Sequence, residues 1–206
     1  LKNSKDGLSD DLARMESEMF IQTEATPNPA TQKFLPGKVV METGTAEFRS
    51  AEEAQASPLA ARLFEIPGVT GVYFGYDFIS VSKENQEWQH LKPAILGSIM
   101  EHFMSGKPVM GDASVLSEEV DAGGEFFDEA DETIVLTIKE LLETRVRPAV
   151  AQDGGDITFR GFKDGKVYLN MKGSCSGCPS STATLKHGVQ NLLRHFVPEV
   201  QEVIAA

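Results

Sequence analysis

The sequence predicts two small α+β domains joined by an acidic flexible linker, and three observations carry that expectation. The first is length, since 206 residues fit one large or two small domains at roughly 100–200 residues each. The second is charge. The formal net charge is −12, distributed as −2 over residues 1–18, −3 over 19–111, −9 over 112–132 and +2 over 133–206. Residues 112–132 hold nine acidic side chains, no basic ones and a Gly-Gly pair, the composition of a self-repelling, extended tether. The third is that helix-like and strand-like patterns occur together on both sides of that tether.

The boundaries that follow are a leader or added extension at 1–18, a first domain at 19–111, the linker at 112–132 and a second domain at 133–206. Leu8, Leu12, Met15 and Met19 recur at helical spacing in and just after the leader, and Met19 itself reads as a plausible start. In the first domain Phe20–Thr23 and Lys33–Leu35 read as strands separated by the Pro- and Asn-rich TPNPAT turn. Ser57-Pro58 supplies a cap and a first-turn proline for a helix that Pro67-Gly68 stops. Val69–Phe74 and Phe78–Ser82 read as a hairpin. A helix then runs from about Gln86 to Ser105, with Pro93 placing its regular start in question. Its histidines, His90 and His102, are expected at the surface.

In the second domain a helix is expected at about Glu132–Val146, limited by Pro148. Asp153-Gly154-Gly155-Asp156 reads as a turn, followed by a hairpin of Ile157–Phe162 and Lys166–Met171. A last helix, about Pro179–Phe196, carries Leu185, Val189, Leu192 and Phe196 at steps of three and four, and Val200–Ile204 reads as a short final strand. Phe126 and Phe127, apolar within the acidic tether, are expected to contact the nearby domain or the next helix start.

Composition excludes several classes of function. Acidity of this degree lacks the basic stripe that nucleic-acid binding needs, and no run approaches the ~20 apolar residues of a membrane helix. The only cysteines are Cys175 and Cys178, too few for a disulfide framework, so the C-x-x-C pair points to metal or redox chemistry. Gly177 permits a tight loop that turns both sulfurs to one side. Pro179 suits the first turn of the following helix, whose N-terminal dipole is expected to favour thiolate. Ser174, Ser176, Ser180 and Ser181 are candidate donors to sulfur.

Two thiolates make half a site. Iron–sulfur clusters and structural zinc both ordinarily take four ligands, so completion falls to a second copy or an exogenous thiol. A symmetric dimer supplies two plus two sulfurs. Spacing alone leaves an iron–sulfur carrier, a thiol–disulfide oxidoreductase and a zinc-bridged structural dimer open. Asp153 and Asp156 are expected to shape a turn, His187 and His195 to be solvated or packed on the last helix, and Lys172 and Lys186 to flank the loop with positive charge.

The stretch RVRPAVAQDGGDITFRGFKDGKVYLNMKGSCSGCPSSTATLKHGVQNLLRHFVPEV resembles the NifU C-terminal domain, paired cysteines included. MFIQTEATPNPATQKFLPGKVV, with GVTGVYFGYDFISVSK, is similar to the Nfu N-terminal domain. The resemblance runs from Met19 almost to the C-terminus, leaving out the leader and the linker. It implies a non-enzymatic iron–sulfur cluster scaffold or carrier that holds a [4Fe–4S] cluster between two subunits, with Cys175 and Cys178 as the ligands. The implied partners are a second copy of the chain, an assembly scaffold that donates clusters, and apo iron–sulfur client proteins. Further cysteine-bearing domains of the nitrogen-fixation scaffold are absent, which favours delivery over assembly. With neither a transit peptide nor a secretory signal visible, a bacterial cytoplasm is the expected compartment and the mitochondrial matrix the alternative.

Overall fold

The computed structural model describes residues 20–111, 124–176 and 179–206, the last segment without the side chains of 179–181. Leu8, Leu12 and Met15 of the leader, Met19, and residues 112–123 of the linker lie outside the described residues.

The first unit is a five-stranded antiparallel sheet in the order β1-β2-β5-β4-β3. Its strands are β1 (Gln22–Ala25), β2 (Thr31–Leu35), β3 (Ala46–Phe48), β4 (Val69–Phe74) and β5 (Ile79–Lys83). β3 has no counterpart in the sequence reading, because three residues are too few to show alternation. The helices are α1 (Pro58–Phe64) and α2 (Trp88–Met104). Ser57 caps α1 as expected, its Oγ accepting the Ala60 amide at 3.0 Å. Phe34, Val72, Phe74, Ile79 and Val81 pack against Leu59, Leu63, Leu91, Ile95 and Ile99 in one core, each contributing about 1.5–3 kcal/mol by leaving water.

Two expectations for α2 are corrected. The helix begins at Trp88 and runs through Pro93, which near the N-terminal end forfeits a single amide bond. His102 is not at the surface. Steps of four and three from Ile95 and Ile99 carry it onto the buried face, where it is 2% exposed and its Nε2 has no hydrogen-bond partner. Burial lowers its pKa, and the charges of Arg62 and Lys107 act in the same direction. A depressed folded-state pKa stabilises the fold above the unfolded value of ~6.5, and the stability is lost as pH falls through the folded value. His102→Phe is therefore expected to flatten the acid limb of a urea-stability profile below about pH 6.5 relative to the parent chain.

The second unit contains α3 (Glu132–Leu141), a π-helical turn (Leu142–Val146), α4 (Arg147–Gln152), β6 (Gly155–Lys163), β7 (Lys166–Gly173), α5 (Pro179–Phe196) and β8 (Glu202–Ala205). The first helix does not stop before Pro148, because the wider π turn carries it past a residue that has no amide to donate. β6 and β7 form the expected hairpin, and β8 pairs parallel with β7. Val135, Ile138, Ile157, Leu169, Leu193 and Val203 lie at the centre of this core. Phe126 docks on the same unit. Its backbone bridges β6 at Gly161 and its ring lies 5.0 Å from that of Tyr168. Among the described residues no helix is long and apolar enough to cross a membrane.

The two units are in contact. The ends of β6 and β7 and the loop that follows β7 lie against the face of the five-stranded sheet opposite its helices. Lys33, Ser80 and Asn28 reach across to the backbone of Gln152, Gly154 and Ser176. An extended, flexible tether between the domains did not by itself lead to the expectation of this contact.

Candidate functional site: the cysteine loop

Cys175 stands in the loop between β7 and α5, as the sequence suggested, while Gly177 and Cys178 lie outside the described residues. Backbone and hydroxyl groups hold the loop on both sides of the cysteine. The Ser174 hydroxyl donates to the Asp153 carbonyl at 2.5 Å and its amide to Gly154 at 3.2 Å. The Ser176 hydroxyl donates to Gly173 at 2.9 Å, and Thr182 of α5 donates to the Cys175 carbonyl at 2.9 Å. Ser176 thus serves the backbone rather than the sulfur, and the side chains of Ser180 and Ser181 lie outside the described residues.

Space for the sulfur comes from glycine. Gly155 and Gly173 are Cα partners across the β6–β7 ladder. A Cβ added at Gly155 would stand 2.6 Å from Cys175 Sγ and 2.7 Å from the Lys172 carbonyl. Gly173 has φ +64°, and a Cβ there would meet the Gly154 carbonyl at 2.7 Å, so only glycine suits the position. Of the expected turn at 153–156, Asp153 and Gly154 form the turn while Gly155 and Asp156 open β6, and this strand end seats the cysteine, which the GSC and DGGD segments did not reveal separately.

Cys175 is 5% exposed. Burial pushes its thiol up to about 11, the carboxylates of Asp153, Asp156 and Glu47 add to the shift, and Ser174 opposes it. This corrects the expectation of a thiolate favoured by the helix dipole. Desolvation outweighs a helix end that begins four residues later, at Pro179.

Asp156 has no oxygen left over for a metal. Both are engaged by Arg147 at 2.8 Å, and one also accepts the Ile157 amide at 2.8 Å. Arg147 is additionally bonded to Glu143 at 2.7 Å, and these partners raise its pKa, the Asp156 bonds most. This fork beside the cysteine seat escaped sequence reading, since nine residues separate its members with a helix end between them. Asp156 is 4% exposed, so Arg147→Ala would strand a buried carboxylate. Such losses cost about 3–5 kcal/mol, toward the lower end here because the arginine is partly solvated. Urea denaturation of Arg147→Ala beside Arg147→Lys is expected to show that loss, with the lysine variant intermediate.

His90, His187 and His195 are exposed, and Lys186 pairs with Glu202 at 3.4 Å. Lys172 faces Asp156 in the ladder. Among the described residues no three His, Cys, Asp or Glu side chains gather as a metal site. Beside Cys175 an apolar groove of about 530 Å³ runs between α4 and α5, lined by Val146, Val150, Leu185, Val189 and Leu192.

Residues 21–106 match the family described as scaffold protein Nfu/NifU N terminal, and residues 138–204 match the NifU-like domain. The chain is 51% identical over 187 residues to the human protein named NFU1 iron-sulfur cluster scaffold homolog, mitochondrial, covering 90% of this chain and 71% of that one. A Drosophila sechellia protein of the same name is 51% identical over 90% of this chain and 64% of its own length. A solved NifU-like protein from Saccharomyces cerevisiae is 25% identical with a TM-score of 0.42, covering 46% of this chain and 86% of that one.

Proposed function

Because this chain belongs to the Nfu family of iron–sulfur cluster scaffolds, we propose that it carries a [4Fe–4S] cluster between two subunits through Cys175 and Cys178 and passes it to apo-proteins. The cluster is cargo, held by thiolates and released by stepwise exchange with a client's cysteines. An assembly scaffold donates it, and no bond-making catalysis is assigned to the chain itself. The observation that carries this reading is the cysteine loop, seated by Gly155 and Gly173 within the residues matched as NifU-like. Four thiolates complete a cluster, and one chain has only two cysteines. The curated relatives are named mitochondrial, which favours the mitochondrial matrix over the bacterial cytoplasm first expected.

Anaerobic reconstitution with iron and sulfide tests the proposal. About four irons and four sulfides per dimer are expected, with transfer to an apo-ferredoxin-type acceptor. A chain that binds one zinc per dimer and no iron would support the structural dimer instead. A monomer that takes up no iron but reduces disulfides would support the oxidoreductase, whose attacking thiol needs a low pKa, whereas burial raises that of Cys175.

A further inference from the structure

The sheet face that meets the second unit carries an ordered row of side chains. Glu24, Lys33, Ser80, Tyr73 and Glu47 are successive register partners across β1, β2, β5, β4 and β3, so they form one line over the whole sheet. A polar sheet face without a partner is ordinarily wet. Here Lys33 is 7%, Ser80 1% and Tyr73 2% exposed.

The row is matched to backbone around the cysteine. Lys33 Nζ donates to the Gln152 carbonyl at 3.0 Å, Ser80 Oγ to the Gly154 carbonyl at 2.6 Å, and Glu47 Oε1 accepts the Gly173 amide at 2.8 Å. A Cβ at Gly173 would approach the Tyr73 ring to 3.1 Å. Outside the row, Asn28 donates to the carbonyl of Ser176, the residue after Cys175, at 3.2 Å. The first unit therefore grips residues on both sides of the cysteine, and a cavity of about 720 Å³ lies between the two units with Cys175 on its wall.

We propose that this row is a docking surface for the chain's own cysteine loop, forming a closed state in which a second copy cannot reach Cys175 and which must open before the cluster is shared. The role in cluster loading rests on the function proposed above, whereas the docking itself does not. One side of the loop is occupied by the first unit, and a symmetric site needs that loop to face its twin. Closure and cluster loading thus compete for the same loop.

Labelling of the full chain with iodoacetamide in a Cys178→Ser background, at one pH and under reducing conditions, reads the accessibility of Cys175 alone. Ser80→Glu and Glu47→Lys each reverse a contact on what is otherwise a solvent face of the sheet. Both are expected to label at least ~10-fold faster than the parent, with Trp88 emission unchanged and a larger radius of gyration by small-angle scattering. Parent and variants labelling at one rate would overturn the docking, as would a parent that labels as fast as the urea-unfolded chain. With both cysteines restored, the two variants should take up cluster several-fold faster than the parent. Equal uptake would overturn the gating role. If no chain takes up iron, the cluster reading fails, and the labelling still decides the docking.

Discussion

Replacing Cys175 by alanine is expected to yield a folded chain that no longer retains a cluster. Cys175 is a small member of the second core, 5% exposed and packed against Gly155. Removing one sulfur from such a site leaves a cavity smaller than a Leu→Ala change would, at about 1 kcal/mol. That is a fraction of ordinary domain stability, so the melting curve should shift by only a few degrees. The effect on iron should be of a different order. A dimer of the variant keeps two of four thiolates, and half a ligand set cannot hold the cluster through gel filtration. Cys178→Ala should remove iron equally. Retained iron at about four per dimer in either variant would move the site elsewhere in the chain. Cys175→Ser is the harsher test of stability, because it buries a hydroxyl in the second core.

Much of this architecture is legible in the sequence because its signals are local. The cap at Ser57, the hairpin of Val69–Phe74 with Ile79–Lys83 and the last helix at Pro179–Phe196 each follow from residues within one element or two consecutive ones. The misses are tertiary. His102 has the chemistry of a surface residue, and only its step from Ile99 shows that it faces inward. Pro148 stops a regular α-helix but not one that widens into a π turn first. At the site the cysteine spacing singled out the loop, yet not the environment of Cys175. Its raised pKa comes from burial, and the carboxylates of Asp153 and Asp156, some twenty positions upstream, and of Glu47 in the first unit add to it. The same holds for the row on the first sheet. Lys33 and Ser80 alternate with the core residues Phe34 and Ile79 along their strands, and their partners are backbone carbonyls more than seventy residues away.

Two glycines of the second unit, Gly155 in β6 and Gly188 in α5, give a prediction in which one substitution has opposite signs at two places. Gly155→Ala puts a methyl group where Cys175 Sγ and the Lys172 carbonyl already stand, at 2.6 and 2.7 Å from an ideal Cβ. The sulfur can turn away only by leaving its seat, and the carbonyl belongs to a ladder strand that cannot move without breaking its pairing with β6. Overpacking of this kind costs about 1–3 kcal/mol, at the upper end where backbone is the obstacle. Gly188→Ala sits within α5 with nothing inside 4 Å of an ideal Cβ. There the gain in helix propensity is about 0.5–1 kcal/mol. The single tryptophan, Trp88, belongs to the first unit, so its emission follows that unit while far-ultraviolet circular dichroism follows both. In urea, Gly155→Ala should show an early loss of ellipticity that the Trp88 transition trails, together with weakened iron retention. Gly188→Ala should delay the loss of ellipticity and keep its iron. If both variants unfolded like the parent, the glycine seat would not be what holds Cys175 in place, and the loop would owe its shape to the hydroxyl contacts of Ser174, Ser176 and Thr182 and to the first unit's Asn28 and Glu47.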